Sequence, residues 1–269
     1  MKISVITTSF NSEKTIERTI KSVIGQNYSN LEYILIDGGS TDNTMNIVRK
    51  YEKYFSIIIS EKDKGIADGF NKGIIRATGD IIGIVNSDDT MYPGTAIRLS
   101  KEFDPNVDAY YGDQIVVDEE NHTKCYQKAK PLNTIKYCLP FSHQSIYISK
   151  KCYEKYGLYS LDYKICFDYE LILKMYKEGV NFKYIPSALC EFSFGGCSYV
   201  NPKATINECT QIAMKYGLPR TEALKHKIKY LTLCYGKRIL SKIGLLHTAQ
   251  KARQKFNRRL NYNFENNNK

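Results

Sequence analysis

The chain has 269 residues, 42% apolar and 25% charged, with 17 Gly, 7 Pro, 8 Cys and no Trp. That excludes a disordered or fibrous chain, and the length suffices for one or two domains with a full core. The net charge of +11 is unevenly placed: residues 201–269 carry 15 Lys and Arg against three acidic residues, so a near-neutral body bears a basic tail.

The first hundred residues alternate strand and helix signals. Lys2–Thr8 is rich in β-formers, and Asn11 and Ser12 offer caps for a helix to about Gly25, with Ile16, Ile20, Val23 and Ile24 on one buried stripe. Leu31–Asp37 reads as a strand ended by Gly38-Gly39, and a helix from Ser40 or Thr41 runs to about Lys53. Phe55–Ser60, Ile66–Ala77 and Asp80–Asn86 read as strand, helix and strand. Nearly all-apolar strands separated by helices about ten residues long predict a parallel sheet covered on both faces.

The rhythm then changes. A helix is expected from Pro93 towards Phe103, and a hairpin over Ala109–Val117 and Thr123–Lys128 around Asp118–Asn121. A helix over Asp168–Glu178, a short strand at Asn181–Ile185 and helices over 203–215, 221–234 and 237–259 complete the series. The expectation is an α/β domain over 1–200, a nucleotide-binding half to about 100 and an acceptor half beyond it, with a basic helical region over 201–269 ending in disorder.

No apolar run approaches the ~18 residues that span a bilayer. Strand-like sequence begins at Lys2, which leaves no room for a signal peptide. The cysteines show no C-x-x-C pair and none precedes Cys125; they read as intracellular small apolar residues, not as disulfides or a zinc site.

Three polar clusters fall at strand ends, where open α/β sheets build their crevices. They are Thr8-Ser9-Phe10-Asn11, Asp37-Gly38-Gly39-Ser40-Thr41-Asp42 and Asn86-Ser87-Asp88-Asp89. Adjacent Asp88 and Asp89 repel each other; a divalent cation bridging to phosphate oxygens would relieve that, and a solvated turn is the plain alternative. Asp37 either binds a base or ribose, or caps its turn. Asp68 shares a helical face with Asn71 and Lys72, suited to a ligand or to ordinary surface. Asp168 opens a helix, where carboxylates are common. His143 has no metal-ligand spacing and reads as structural. Neither G-x-G-x-x-G nor G-x-x-x-x-G-K-[ST] occurs, which disfavours dehydrogenases and P-loop enzymes.

Together, Val5–Asn11, Ile36–Thr44, Gly65–Gly73 and Val85–Asp89 resemble the family 2 glycosyltransferases, which are inverting enzymes of the GT-A fold. Tyr111-Gly112-Asp113, Phe141-Ser142-His143-Gln144 and Phe194–Ser198 make the chain similar to bacterial enzymes of capsule, O-antigen and colanic-acid-type synthesis. The resemblance covers about residues 1–200. It implies a mixed, mostly parallel Rossmann-like sheet and a metal-dependent transfer from a nucleotide-sugar, UDP-linked by preference, to a glycan or lipid-diphosphate-linked acceptor.

The resemblance implies site roles residue by residue. Asp37 matches a nucleobase contact, and Thr8 and Phe10 line base and ribose. Asp68 and Asp88 are donor contacts. Asp89 is the ligand of Mn²⁺ or Mg²⁺, and Asp168 is the general base. Phe167 stands where the family has a first acid, Ala67 where it often has Tyr, and Gly195–Ser198 where many members have His or Arg. The basic tail mixes Leu, Ile and Tyr with Lys and Arg, and is expected to lie peripherally on an anionic inner membrane surface; a helical cap and an oligomer interface are the alternatives. A nucleotidyltransferase using the same crevice, or a nucleic-acid-binding protein using the tail, are the competing functions, and no nucleic-acid partner is expected.

Overall fold

The computed structural model describes residues 1–118, 123–193 and 201–242. Four strands build a parallel half-sheet: β1 (Ile3–Ser9), β2 (Leu31–Asp37), β3 (Ile57–Ser60) and β4 (Ile81–Ile84). Five more complete one nine-stranded sheet: β5 (Thr90–Met91), β6 (Ala109–Asp118), β7 (Thr123–Gln127), β8 (Ile146–Ser149) and β9 (Phe182–Ser193). The order is β3-β2-β1-β4-β8-β6-β9-β5, with β7 on β6. The sheet turns antiparallel at β8, and β9 runs parallel to β6.

Alternation within the strands gives the sheet two buried faces. Ile3, Val5, Tyr33 and Leu35 face one core, shared with Ile16 and Ile20 of α1 (Ile16–Ile24), Val48 of α2 (Thr44–Arg49) and Leu99 of α4 (Thr95–Glu102). Ile6, Ile34 and Ile36 face the other, with Phe70 and Ile74 of α3 (Ile66–Arg76), Cys152 of α5 (Lys150–Tyr156) and Ile172 of α6 (Phe167–Lys177). The two-sided α/β layering expected from the apolar strands is present.

Several boundaries differ from the sequence reading for local reasons. The first helix begins at Ile16, since Asn11 takes φ 49 and the backbone turns from Ser12 to Thr15 before the helix starts. The second ends at Arg49 and is followed by a 3₁₀ turn, Glu52–Tyr54. The last strand does not stop at Ile185 before Pro186. Pairing jumps from Gly112↔Ile185 to Asp113↔Ala188, so a bulge carries the proline, which has no N–H for the ladder.

The C-terminal region is helical and packs on the body. Helix α7 (Pro202–Lys215) buries Ile212 and Ala213, and α8 (Arg220–Lys242) buries Ala223. Glu222 accepts hydrogen bonds from Lys136 Nζ at 2.9 Å and from the Tyr137 hydroxyl, and His226 stacks on Tyr137 at 4.3 Å. One helix therefore runs where a break was expected at Gly236. The hairpin turn from residue 119, the segment Phe194–Ser198 and the expected helix and disorder beyond 242 lie outside the described residues. No helix among the described residues is long and apolar enough to cross a membrane.

Candidate active site

The loops at the carboxyl ends of the parallel strands open into a crevice of about 1160 Å³. That is ample for a nucleotide-sugar with part of an acceptor, since small-molecule sites usually take ~300–1,000 Å³. Residues 8–15 at and beyond the end of β1, Gly38 after β2, Lys62, Asp63, Gly65 and Ile66 at the entry to α3 and residues 86–89 after β4 form much of its wall. The start of α6 and the segment 139–144 before β8 supply the rest.

After β4 the chain turns through Asn86–Asp89, and Thr19 of α1 pins that turn: its Oγ1 lies 2.9 Å from the Ser87 carbonyl oxygen and 2.7 Å from that of Asp89. Asp89 is 1% exposed. Its Oδ1 accepts the Ser193 N–H at 2.9 Å and its Oδ2 accepts the side-chain amide of Gln144, itself fixed by the Ser142 hydroxyl. Burial, reinforced by the neighbouring Asp88 charge, pushes the Asp89 carboxyl well above the usual range, against those two bonds and Arg18. Asp88 is the more exposed partner, and Arg18 Nη2 donates to its backbone carbonyl at 2.8 Å.

These carboxylates fit a hard divalent cation. They offer oxygen donors, each Asp89 oxygen accepts one hydrogen bond among the described residues and so keeps a lone pair, and positive charge would relieve the repulsion that burial concentrates. Among the described residues no group of three or more His, Cys, Asp and Glu side chains could enclose a metal, so Mg²⁺ or Mn²⁺ here would draw its remaining oxygens from a ligand.

Asp168 lines the same crevice from the first turn of α6, and its Oδ1 accepts the Tyr169 N–H at 2.7 Å. Burial raises its carboxyl to about 6; repulsion from Glu208 adds to this, and the Tyr169 N–H works against it. The apolar wall beside it stacks Phe70 on His143 at 5.0 Å and sets Phe167 edge-on to Phe70 at 5.4 Å. His143 is half-buried against these rings, and the loss of water around it holds its imidazole down at about 4 and therefore neutral. Asn86 Oδ1 and Gln114 Oε1, on crevice-lining residues, are buried without a hydrogen-bond partner among the described residues.

Thr8, Phe10, Asp88, Asp89 and Asp168 thus come together, with Phe10 62% exposed at the rim. Asp37 and Asp68 do not join them. Asp37 is fully buried, and its oxygens are taken by the hydroxyls of Ser9, Ser40 and Ser60 and the N–H groups of Gly39 and Ser40. It knits together the ends of three strands. Asp68 accepts the Lys64 N–H and pairs with Lys72 at 3.4 Å, outside the crevice lining.

Sequence reasoning missed the roles of Asp63 and Gln144 in this lining. Asp63 brings a carboxylate over Gly38, with Oδ1 accepting the Gly65 N–H at 2.9 Å and no donor to Oδ2 among the described residues. Gln144 holds Asp89; its pairing with His143 after Phe141-Ser142 was the available signal.

Residues 4–167 match the model for glycosyl transferase family 2. An uncharacterised glycosyltransferase of Mycobacterium tuberculosis is 31% identical over 222 residues, covering 77% of this chain and 80% of that one. A PGL/p-HBAD biosynthesis glycosyltransferase of Mycobacterium bovis is 26% identical over 204 residues, covering 72% and 78%. Among solved structures, Staphylococcus aureus TarS 1–349 in complex with UDP aligns at TM-score 0.62 and 19% identity, covering 86% of this chain and 71% of that one. Mannosyltransferase PcManGT from Pyrobaculum calidifontis, in complex with GDP-Man and Mn²⁺, aligns at TM-score 0.63 and 19% identity, covering 93% and 80%. The mixed sheet, with its acidic crevice at the strand ends, is accordingly the GT-A fold, and the chain belongs to glycosyl transferase family 2.

Proposed function

We propose that this glycosyltransferase moves a sugar from a UDP-sugar to a hydroxyl of a glycan or a lipid-diphosphate-linked oligosaccharide in bacterial surface-polysaccharide synthesis, with inversion. The observation that carries the reading is that Asp168 and the Asp88–Asp89 pair line one crevice. One site thereby holds a base for the acceptor and a carboxylate pair for the diphosphate end of the donor.

Asp168 takes the proton from the acceptor hydroxyl as that oxygen attacks the anomeric carbon, which requires hydrogen-bond reach of ~2.6–3.2 Å. Attack opposite the departing diphosphate inverts the anomeric centre. Asp89, with Asp88 beside it, would hold Mn²⁺ or Mg²⁺, and Gln144 and the Ser193 N–H keep its carboxylate aimed. The cation, when bound, supplies positive charge against the leaving diphosphate. Phe10 and Thr8, which line the crevice, are assigned to the base and ribose. Asp63 takes over the base-facing carboxylate role implied for Asp37, whose oxygens are already filled. Uracil and guanine each present a ring N–H to such a carboxylate; UDP stands first, and the solved neighbours carry UDP and GDP-Man respectively. Asn86 Oδ1 and Gln114 Oε1 are acceptors for ligand hydroxyls.

Calorimetric titration of UDP and GDP, each with and without Mn²⁺, into the intact protein and its Asp89→Ala form tests the site. One nucleotide should bind with metal, weakened at least ~10-fold by the substitution. Equal affinity in the two proteins overturns the role of Asp89.

A further inference from the structure

The loop that delivers Asp168 is held by a side chain from the C-terminal helical region. Lys164, Ile165 and Cys166 lead into α6, and their backbone N–H groups converge on one carboxylate, that of Glu208 on α7. Lys164 N donates to Oε1 at 3.2 Å, and Ile165 N and Cys166 N donate to Oε2 at 2.9 Å each. These amides belong to the loop that precedes Phe167, so the carboxylate ties that loop down, and its charge sits favourably at the positive end of α6. The same helix grips α6 a second time: Lys215 Nζ and the Tyr216 hydroxyl donate to Glu170 Oε1 at 2.9 and 2.6 Å. Asp168 lies between these two fastenings. The family match ends at residue 167, so the clamped amides lie within it and the clamping Glu208, with Glu170, Lys215 and Tyr216, lies beyond it.

We propose that Glu208 is a positioning residue for Asp168, clamping the approach to α6 so that the C-terminal helices set the place and charge environment of the base; this rests on the reading of Asp168 as that base. Misplacing a reacting group by ~1 Å costs on the order of 10²-fold in rate, so a clamp of three hydrogen bonds two to four residues from the base bears directly on turnover. The charge of Glu208 also disfavours ionisation of Asp168. The other titratable groups whose charges couple to that carboxyl are Tyr159, which touches neutral His143, and Cys166, whose Sγ lies 3.4 Å from that of Cys209 on α7.

The clamp itself is tested without substrate. The protein, its Glu208→Gln form (acceptor kept, charge removed) and its Glu208→Ala form (both removed) are compared by carboxyl-carbon NMR titration and by amide exchange, with Asp168→Asn assigning the signal. In Glu208→Gln the Asp168 midpoint should move to lower pH, because a negative neighbour is gone. In Glu208→Ala the amides of Ile165 and Cys166 should exchange at least ~10-fold faster, while core-strand amides keep their rates and so report an intact fold. An unmoved Asp168 midpoint together with unchanged exchange overturns the clamp. Donor turnover by Asp168→Asn is measured beside them as nucleoside diphosphate released from UDP-glucose and GDP-mannose. Wild-type rates in that variant overturn the base reading, whatever the Glu208 variants show.

Discussion

Asp63 fills the space that a side chain at position 38 would need. A Cβ on Gly38 would stand 2.6 Å from Asp63 Oδ2, closer than non-bonded atoms approach. The glycine after β2 therefore lets a carboxylate from the loop before α3 lie over the strand end, inside the crevice. A carboxylate only accepts hydrogen bonds, so it favours bases with a ring N–H and disfavours cytosine, whose ring nitrogen is itself an acceptor. Asp63→Asn should weaken UDP at least ~10-fold, on the order of 1.4 kcal/mol, and narrow the gap between UDP and CDP. Calorimetry with both nucleotides measures this, and an unaltered UDP-to-CDP ratio removes Asp63 from base recognition.

The position of Asp63 also marks how far the sequence was legible. Leu31–Asp37 was read to the residue, since a strand buried on both faces is apolar nearly throughout. Thr90–Met91 is too short to carry a periodicity, and Ile146–Ser149 lacks the longer apolar run that marks the equally short Ile57–Ser60 and Ile81–Ile84. The helix through Gly236 was broken in the reading, although one interior glycine costs only ~1 kcal/mol against alanine. In the crevice, the clusters after β1 and β4 were placed by strand ends alone. The direction in which the Asp37 carboxyl faces was not, for it depends on hydroxyls from Ser9, Ser40 and Ser60, brought together by three different segments.

As the proposed base, Asp168 must be ionised to accept a proton, and burial raises its carboxyl to about 6. Transfer measured at saturating donor should rise with pH through about 6 and level off above it. Asp168→Asn should lower turnover by ~10² or more with nucleotide affinity retained. The stability sign follows from the same shift. A folded-state value above the unfolded one gives a contribution present below about 4 that is lost as pH rises through about 6. Asp168→Asn should therefore melt higher than the parent at pH 7–8, the difference fading towards pH 4. A variant less stable than the parent at pH 8 contradicts the burial argument.

Helix α8 packs Ala223 against the body, yet Leu224, Ile228 and Tyr235 emerge along one side with 40%, 64% and 49% exposure. These lie four and seven residues apart, a helical stripe, with Lys225 and Lys229 exposed beside it. An apolar stripe edged by lysines suits an anionic bilayer surface, where each basic residue contributes ~1 kcal/mol and lysine stems bury their methylenes. A cap packed wholly on the domain would not leave its largest apolar side chains in water. The protein should co-sediment with phosphatidylglycerol-containing vesicles and far less with pure phosphatidylcholine, and high salt should release it. Ile228→Glu should reduce binding at least ~10-fold without moving the melting temperature, since Ile228 touches solvent and its apolar area counts at ~25 cal/mol per Å² only when buried in lipid. Equal partitioning to both vesicle types would mean that charge plays no part, and no partitioning to either would leave the stripe to a protein partner.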